Sequence, residues 1–111
     1  MSKASPKLPL PEYTTVMGVK FRVELTTLED GVSGETNGEL RIIKISQALD
    51  SRRQWTTLRH ERFHAVFHVI GYANESVHEV EEMLVQSLEH DDEQFMLAHG
   101  DVYLRALEAQ K

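Results

Sequence analysis

The sequence contains one motif whose residue types and spacing are typical of metal-dependent chemistry, the pentapeptide His60-Glu61-Arg62-Phe63-His64. Residues four positions apart lie one above the other on an α-helix, so both imidazoles can reach one zinc ion at about 2.0–2.1 Å. Glu61 lies about 100° around the helix from His60, where its carboxylate can take a proton from a water on the metal. The motif therefore predicts metal ligands at His60 and His64 and a general base at Glu61.

A third ligand is expected on the next helix, because a catalytic zinc site has three protein ligands and keeps its fourth position open. One face of that helix is defined by apolar residues at helical spacing, Val77, Val80, Leu84 and Leu88. Glu81 falls inside this face, and a buried carboxylate requires a cation as its partner. Glu82 points about 100° further towards solvent, so Glu81 is the preferred third ligand and Glu82 the alternative.

Other side chains are weaker candidates for a role in the site. His68 lies one more turn along the metal helix and is more typical of a hydrogen-bonded core residue than of a third ligand. A metallohydrolase also needs a donor that stabilises the oxyanion of the transition state. The sequence offers several such donors and does not distinguish among them: Tyr72, His78, His90 and His99.

Composition limits the classes of protein and partner to consider. The chain has 111 residues, 41% of them hydrophobic and 27% charged, which is ordinary for one folded domain. Its formal net charge of −6 argues against broad binding to nucleic acid or to anionic membranes, because both need a basic surface. With no cysteine, the metal ligands must be His, Asp or Glu. The sequence shows neither a secretory signal nor a membrane-spanning run, so a cytoplasmic protein is expected.

Two strands are expected before the metal helix, after a flexible arm over residues 1–12 that contains all three prolines. Apolar residues alternate over residues 16–25, which predicts a strand with a bend or bulge at Gly18. Turn signals over residues 29–38 precede a second strand over residues 38–46, expected to run antiparallel to the first. This second strand is also expected to form a sheet edge with which an extended peptide pairs through backbone hydrogen bonds.

Helices follow the strands. One helix is predicted from an N-cap at residue 50 or 51 to Ile70, with Gly71 as its stop. After the helix that carries the acidic pair, a further helical stretch over residues 95–107 is expected to break at residues 99–101. The order of elements predicts a single α+β domain over residues 13–111, with a short antiparallel sheet packed against the central metal helix and the further C-terminal helices.

Charge is distributed unevenly along the chain. Residues 41–62 hold six bases against two acids, whereas residues 74–111 hold ten acids against two bases. This pattern favours solvated helix faces of opposite sign over a partner-binding patch. Two of the bases, Arg59 and Arg62, lie within the metal helix, which predicts a wetter helix face or a pairing with the acidic helix.

Three segments, residues 40–46, 57–64 and 80–90, together resemble the small zincin-type metallopeptidases that are common in bacteriophages and prophages. The likeness covers about residues 13–95. It implies a minimal gluzincin core, with a glutamate of the second helix as the third ligand beside the two histidines and the general base. It also implies zinc as the cofactor and the cytoplasm of a bacterial host as the location. The substrate is not carried over from the resemblance, and a peptide or protein substrate is part of the functional hypothesis that follows.

Zinc-dependent hydrolysis of peptide bonds is the leading functional hypothesis, with two alternatives. The first is a binding or regulatory module of phage origin that holds a metal without turnover, or holds none. The second is a metal-dependent endoribonuclease, because residues 64–72 resemble the H-x-x-x-H-x-x-G-Y-x-H motif of the bacterial enzymes that mature ribosomal RNA. Asn74 replaces the last histidine of that motif, and the net charge opposes RNA binding.

Overall fold

The computed structural model of the chain describes residues 8–71 and 78–109. Four strands precede two helices, in the order β1 (Tyr13–Val16), β2 (Val19–Thr26), β3 (Gly34–Asn37), β4 (Ile42–Ser46), α1 (Ser51–Val69) and α2 (His78–Ala109). The expected α+β class is confirmed. Several residues named above lie outside the described part: the first seven residues of the proline-containing arm, Tyr72, Asn74, Val77 and the side chain of His78.

The first predicted strand is a β-hairpin. β1 and β2 pair antiparallel, with Val16 opposite Val19, and Met17 and Gly18 form the two-residue turn. Both turn residues have positive φ, 48° and 81°, as a tight hairpin with right-handed strand twist requires. The apolar alternation shifts by one residue at this reversal, because Val16 and Val19 are paired across a two-residue turn and lie on the same face of the sheet, and a bulge shifts the alternation in the same way. The pattern alone therefore does not separate a hairpin from a bent strand.

The sheet is mixed rather than antiparallel, with the strand order β1-β2-β4-β3. β2 and β4 are parallel neighbours, so the prediction of an antiparallel pair is wrong. The cause is β3, which lies in the region predicted as turns and reverses the chain once more before β4 begins. β4 is therefore an interior strand, and β3 is the edge strand on this side of the sheet.

The core lies between one face of the sheet and α1. Its buried apolar residues alternate along the strands and recur along the helix: Val16, Phe21, Ile43, Ile45, Leu58 and Ala65. Ile43 and Ile45 have no exposed surface, as expected for a strand with neighbours on both sides and a helix above it. α2 packs on α1 rather than on the sheet.

The bounds of α1 agree with the predicted helix. Asp50 is its N-cap, and the Oδ1 atom of this residue accepts a hydrogen bond of 2.8 Å from the backbone N–H of Arg53. Gly71 follows the helix with φ of 82°, a left-handed conformation that glycine adopts without steric cost. These local signals explain why this helix was predictable from the sequence.

α2 continues through Gly100, so the predicted break at residues 99–101 is wrong. One glycine inside a helix costs only about 1 kcal/mol relative to alanine, and the helix formers on both sides of Gly100 outweigh that cost. None of the described helices combines the length and apolar character needed to cross a membrane.

The described part of the predicted arm is packed against the domain. The indole Nε1 of Trp55 donates a hydrogen bond of 2.7 Å to the carbonyl oxygen of Leu8, and the backbone N–H of Leu8 donates to the Ser51 hydroxyl at 3.2 Å. Leu10 packs against the core. Leu8 therefore contacts the start of α1, and the carbonyl oxygen of Glu12 accepts a hydrogen bond from the backbone N–H of Val23 on β2, so this part of the arm is held against the domain.

Glycine at position 34 allows β3 to approach α1 closely. A Cβ atom there would lie 2.7 Å from Cγ2 of Thr57 and 3.0 Å from the backbone oxygen of Lys44. We predict that Gly34→Ala lowers the free energy of unfolding by about 1–3 kcal/mol, because the strand must move away from the helix. Urea unfolding measures this change. The control is Glu35→Ala on the exposed side of β3, and equal stability of the two variants would contradict the prediction.

Candidate metal centre

Two histidines of α1 turn the same ring nitrogen towards each other. The Nε2 atoms of His60 and His64 lie 3.3 Å apart, and the ring centroids are 5.0 Å apart. Two nitrogens bound at about 2.0–2.1 Å to one tetrahedral ion lie roughly 3.3–3.4 Å apart. The spacing of the two imidazoles therefore suits a shared metal ion.

Glu82 of α2 completes this arrangement. Its Oε1 lies 3.1 Å from Nε2 of His60, and its Oε2 lies 2.9 Å from Nε2 of His64. One carboxylate thus faces both nitrogens from the opposite helix. Two imidazoles and one carboxylate are a ligand set that zinc uses in catalytic sites.

Glu81 and Glu89 hold the other ring nitrogens. Oε1 of Glu81 lies 2.7 Å from Nδ1 of His64, and Oε2 of Glu89 lies 2.7 Å from Nδ1 of His60. A carboxylate at Nδ1 keeps the proton on that nitrogen and leaves the Nε2 lone pair free for a metal. Both histidines therefore have the ring orientation that a ligand needs, with a carboxylate ready to hold a proton on Nδ1.

These contacts favour Glu82 over Glu81 as the third ligand. Glu81 is buried, with 5% of its surface exposed, as its place on the helix wheel predicts. Its carboxylate, however, contacts Nδ1 of His64 and not the pair of Nε2 atoms. A ligand must face the side from which the metal and the substrate enter, and the half-exposed Glu82 does so. The helix wheel and these contacts therefore point to different glutamates as the third ligand.

Glu61 points from α1 towards β3 and is buried, with 6% of its surface exposed. The Thr36 hydroxyl lies 2.8 Å from its Oε1 and 3.1 Å from its backbone oxygen, so one hydrogen is shared between these two acceptors. Burial raises the pKa of the Glu61 carboxyl, against the lowering effects of the Thr36 hydrogen bond and of His64 and His60. A carboxylate with a raised pKa takes up a proton more readily at neutral pH.

Within the described residues, His60, Glu61 and His64 form a group that can hold a metal ion, because each offers a ligand atom within 4.8 Å of the others. A cleft of about 970 Å³ leads to this group and runs between β3 and α2, with α1 as its floor. The two imidazoles and the Glu61 side chain therefore line one side of this cleft.

β3 offers free backbone groups along the cleft. Its only described strand neighbour is β4, and the N–H of Ser46 donates to the carbonyl oxygen of Ser33. In an antiparallel pair, hydrogen-bonded and non-hydrogen-bonded residues alternate, so the backbone groups of Gly34 and Thr36 point away from β4. The edge predicted for residues 38–46 is thus provided by β3, directly beside Glu61.

Two arginines of α1 fix the neighbouring elements. The Arg59 guanidinium binds the Asp92 carboxylate and donates a hydrogen bond of 3.0 Å to the carbonyl oxygen of Glu89. Arg62 donates to the Thr14 hydroxyl and to the carbonyl oxygen of Thr15 on β1. The predicted pairing of Arg59 with the acidic helix is confirmed, and it holds α2 beside the residue that orients His60.

The remaining histidines lie apart from the ligand atoms. His68 is exposed and lines the cleft, where its ring packs so closely on Gly38 that a Cβ there would lie 2.4 Å from Nδ1. Its ring forms no hydrogen bond with any residue in the described ranges, contrary to the expected role as a bonded core residue. His90 is exposed, and His99 lies beside the Phe95 ring far along α2.

Two residues of the site were not predicted. Thr36 lies on β3, within the residues 29–38 for which the sequence predicts turns. Glu89 lies seven residues after Glu82, two helical turns along the same side of α2, and this spacing could have identified it.

Comparison with known proteins adds no assignment to this geometry: no protein-family model, curated protein or solved structure matches the chain.

Proposed function

We propose that the chain is a zinc-dependent metallopeptidase of the zincin type, with His60, His64 and Glu82 as ligands and Glu61 as the general base. The observation that carries the proposal is the Glu82 carboxylate facing both Nε2 atoms, while Glu81 and Glu89 hold both Nδ1 atoms. A surface cluster of charges does not require that one carboxylate contact both Nε2 atoms while two other carboxylates contact the Nδ1 atoms. The resemblance to the phage metallopeptidases supports the same assignment.

Zinc is the metal that this donor set fits best. Two neutral imidazoles with one carboxylate are typical of zinc, whereas calcium and magnesium prefer oxygen ligands alone. A zinc ion held by His60, His64 and Glu82 would supply Lewis acidity, which polarises a carbonyl oxygen and acidifies water.

The chain's own residues then carry the remaining steps of peptide hydrolysis. The Glu61 carboxylate accepts a proton from the attacking water as the new carbon–oxygen bond forms. It delivers that proton to the amide nitrogen as the carbon–nitrogen bond breaks, so the products are a carboxylic acid and an amine. Thr36 keeps the carboxylate in place through the 2.8 Å contact with Oε1.

The substrate in this proposal is an extended peptide. The outward backbone groups of Gly34 and Thr36 pair with a strand laid in the cleft, which adds a strand to the sheet without requiring particular side chains. The scissile carbonyl then lies between β3 and the metal ligands. The acids that line the cleft and the net charge of −6 remain unfavourable for nucleic acid.

The two alternative functions make different predictions. An endoribonuclease with the motif that residues 64–72 resemble requires His68 as a metal ligand. His68, however, is not in the described metal group and packs on Gly38. A metal-holding module without turnover shares the ligand geometry with the peptidase. Cleavage of a mixed, internally quenched peptide library by zinc-loaded protein tests the proposal, and zinc binding without cleavage would support the module.

Metal removal should weaken the fold measurably. A ligand present at 100 times its dissociation constant stabilises the folded state by about 2.7 kcal/mol, which corresponds to roughly 10 °C or more in Tm for a domain of this size. We therefore expect a chelator to lower Tm by this amount and zinc to restore it, as measured by differential scanning calorimetry. Magnesium should have no effect. A zinc-induced shift that persists in His60→Ala would contradict the assignment.

A further inference from the structure

The second half of α2 extends beyond the helix on which its first half packs. The polar contacts between α1 and α2 end at Glu93, which lies 3.9 Å from the Arg59 guanidinium. Over residues 94–109, which we call the overhang, every residue except Gly100 is exposed in the described structure. At 1.5 Å per residue the overhang is about 24 Å long.

The overhang is apolar over more than half of its circumference. Seven large apolar residues are between 37% and 75% exposed: Phe95, Met96, Leu97, Val102, Tyr103, Leu104 and Leu107. On a wheel of about 100° per residue, the charged residues Asp101, Arg105 and Glu108 share the opposite side. The seven side chains expose on the order of 700 Å², more than the largest apolar patch of a typical monomer.

We infer that the overhang is a dimer interface, in which it pairs antiparallel with the overhang of a second copy of the chain. Met96, Gly100, Tyr103 and Leu107 follow one another at spacings of four, three and four residues, which places them in one stripe along the centre of the apolar side. A two-fold axis between residues 101 and 102 sets Tyr103 of each copy over the partner's Gly100. The same axis sets Met96 opposite the partner's Leu107.

Gly100 supports this arrangement because the helix gains nothing from a glycine there. A glycine in a helix interior costs about 1 kcal/mol relative to alanine. A Cβ at this position would have only Met96 atoms nearby, the closest at 3.3 Å, so packing within the chain does not require its absence. A residue without a side chain at the centre of the stripe instead allows the backbone of a facing helix to approach closely.

Charge selects the antiparallel orientation. The acidic residues Glu89, Asp91, Asp92 and Glu93 precede the overhang, and parallel pairing would set two such clusters side by side. In antiparallel pairing the clusters lie at opposite ends of the interface, roughly 30 Å apart and beyond the reach of screened repulsion.

The exposed apolar area per copy is also close to the ~800 Å² that each partner contributes to a standard interface.

The test is the mass of the full chain in solution, measured by sedimentation equilibrium over a dilution series. We expect twice the 12.7 kDa of one chain. Tyr103→Glu should raise the dimer dissociation constant by ~100-fold or more, while Ala98→Glu, which adds the same charge to the polar side, should leave it unchanged. Circular dichroism checks that both variants remain folded. A monomeric wild type, or equal effects of the two variants, would overturn the inference.

Orientation is tested by disulfide cross-linking, because the chain has no cysteine of its own. Met96→Cys and Leu107→Cys should form a cross-linked dimer when the two variants are mixed, and neither should do so alone. In antiparallel pairing, two copies of residue 96 lie roughly 16 Å apart along the axis, which exceeds the reach of a disulfide. Cross-linking of each variant alone would show parallel pairing and overturn the arrangement proposed here.

Discussion

Glu61→Gln should abolish peptide hydrolysis while leaving zinc in the site. Glutamine has the same volume and can still accept the Thr36 hydrogen bond, but its amide cannot take a proton from water at neutral pH. A general base contributes about 10²–10⁴-fold to the rate, so we expect kcat to fall by that factor. Zinc content, measured by elemental analysis, should remain at one ion per chain.

The control for this variant is Glu12→Gln, which removes an exposed carboxylate away from the cleft. It should retain both zinc and activity. Loss of zinc from Glu61→Gln would assign Glu61 to the ligands instead of to the base. Full activity with full zinc content would remove Glu61 from the mechanism.

Glu82→Gln should weaken zinc binding far more than Glu81→Gln does. Loss of the Glu82 charge removes the carboxylate that faces both Nε2 atoms, whereas Glu81 acts only through Nδ1 of His64. Substitution of an orienting partner typically costs 10–100-fold in metal affinity, and loss of a ligand should cost at least ten times more than that. Competition with a chromophoric zinc chelator measures both dissociation constants under the same conditions.

Two further variants complete this comparison. Glu89→Gln should weaken zinc binding about as much as Glu81→Gln does, because Glu89 contacts Nδ1 of His60 as Glu81 contacts Nδ1 of His64. Glu79→Gln, at an exposed position in the first turn of α2, should bind zinc like the wild type. The reverse order, with Glu81→Gln losing zinc and Glu82→Gln retaining it, would restore the assignment that the helix wheel favours.

The metal helix was predictable because its signals are local. Asp50 as N-cap, the uninterrupted helix formers and Gly71 as the stop all act within a few residues of the elements they define. The i, i+4 spacing of His60 and His64 likewise follows from helix geometry alone. The structure places both Nε2 atoms as that spacing predicts.

Strand topology was not predictable in the same way. The sequence of β3 is Gly-Glu-Thr-Asn, in which threonine alone favours strands, and its pairing with β4 and its packing on α1 make it a strand. Omitting one short strand reverses the direction expected for the next one. The predicted antiparallel sheet and the misplaced edge therefore have the same cause.

The choice between the two adjacent glutamates depended on information that a helix wheel lacks. The wheel predicts which side of α2 is buried, and Glu81 is indeed buried. The wheel does not show which nitrogen of a facing imidazole a carboxylate contacts, because that contact depends on how α1 and α2 are shifted and rotated relative to each other. Arg59 sets that relationship through Asp92 and the backbone of Glu89.

The position of a bound zinc ion tests the central claim most directly. Crystals grown with zinc should show one anomalous-scattering peak at the zinc absorption edge, about 2.0–2.2 Å from the Nε2 atoms of His60 and His64 and from a Glu82 oxygen. Glu81 and Glu89 should remain on the Nδ1 atoms. A peak coordinated by Glu81, or a cleft without a peak at saturating zinc, would contradict the account.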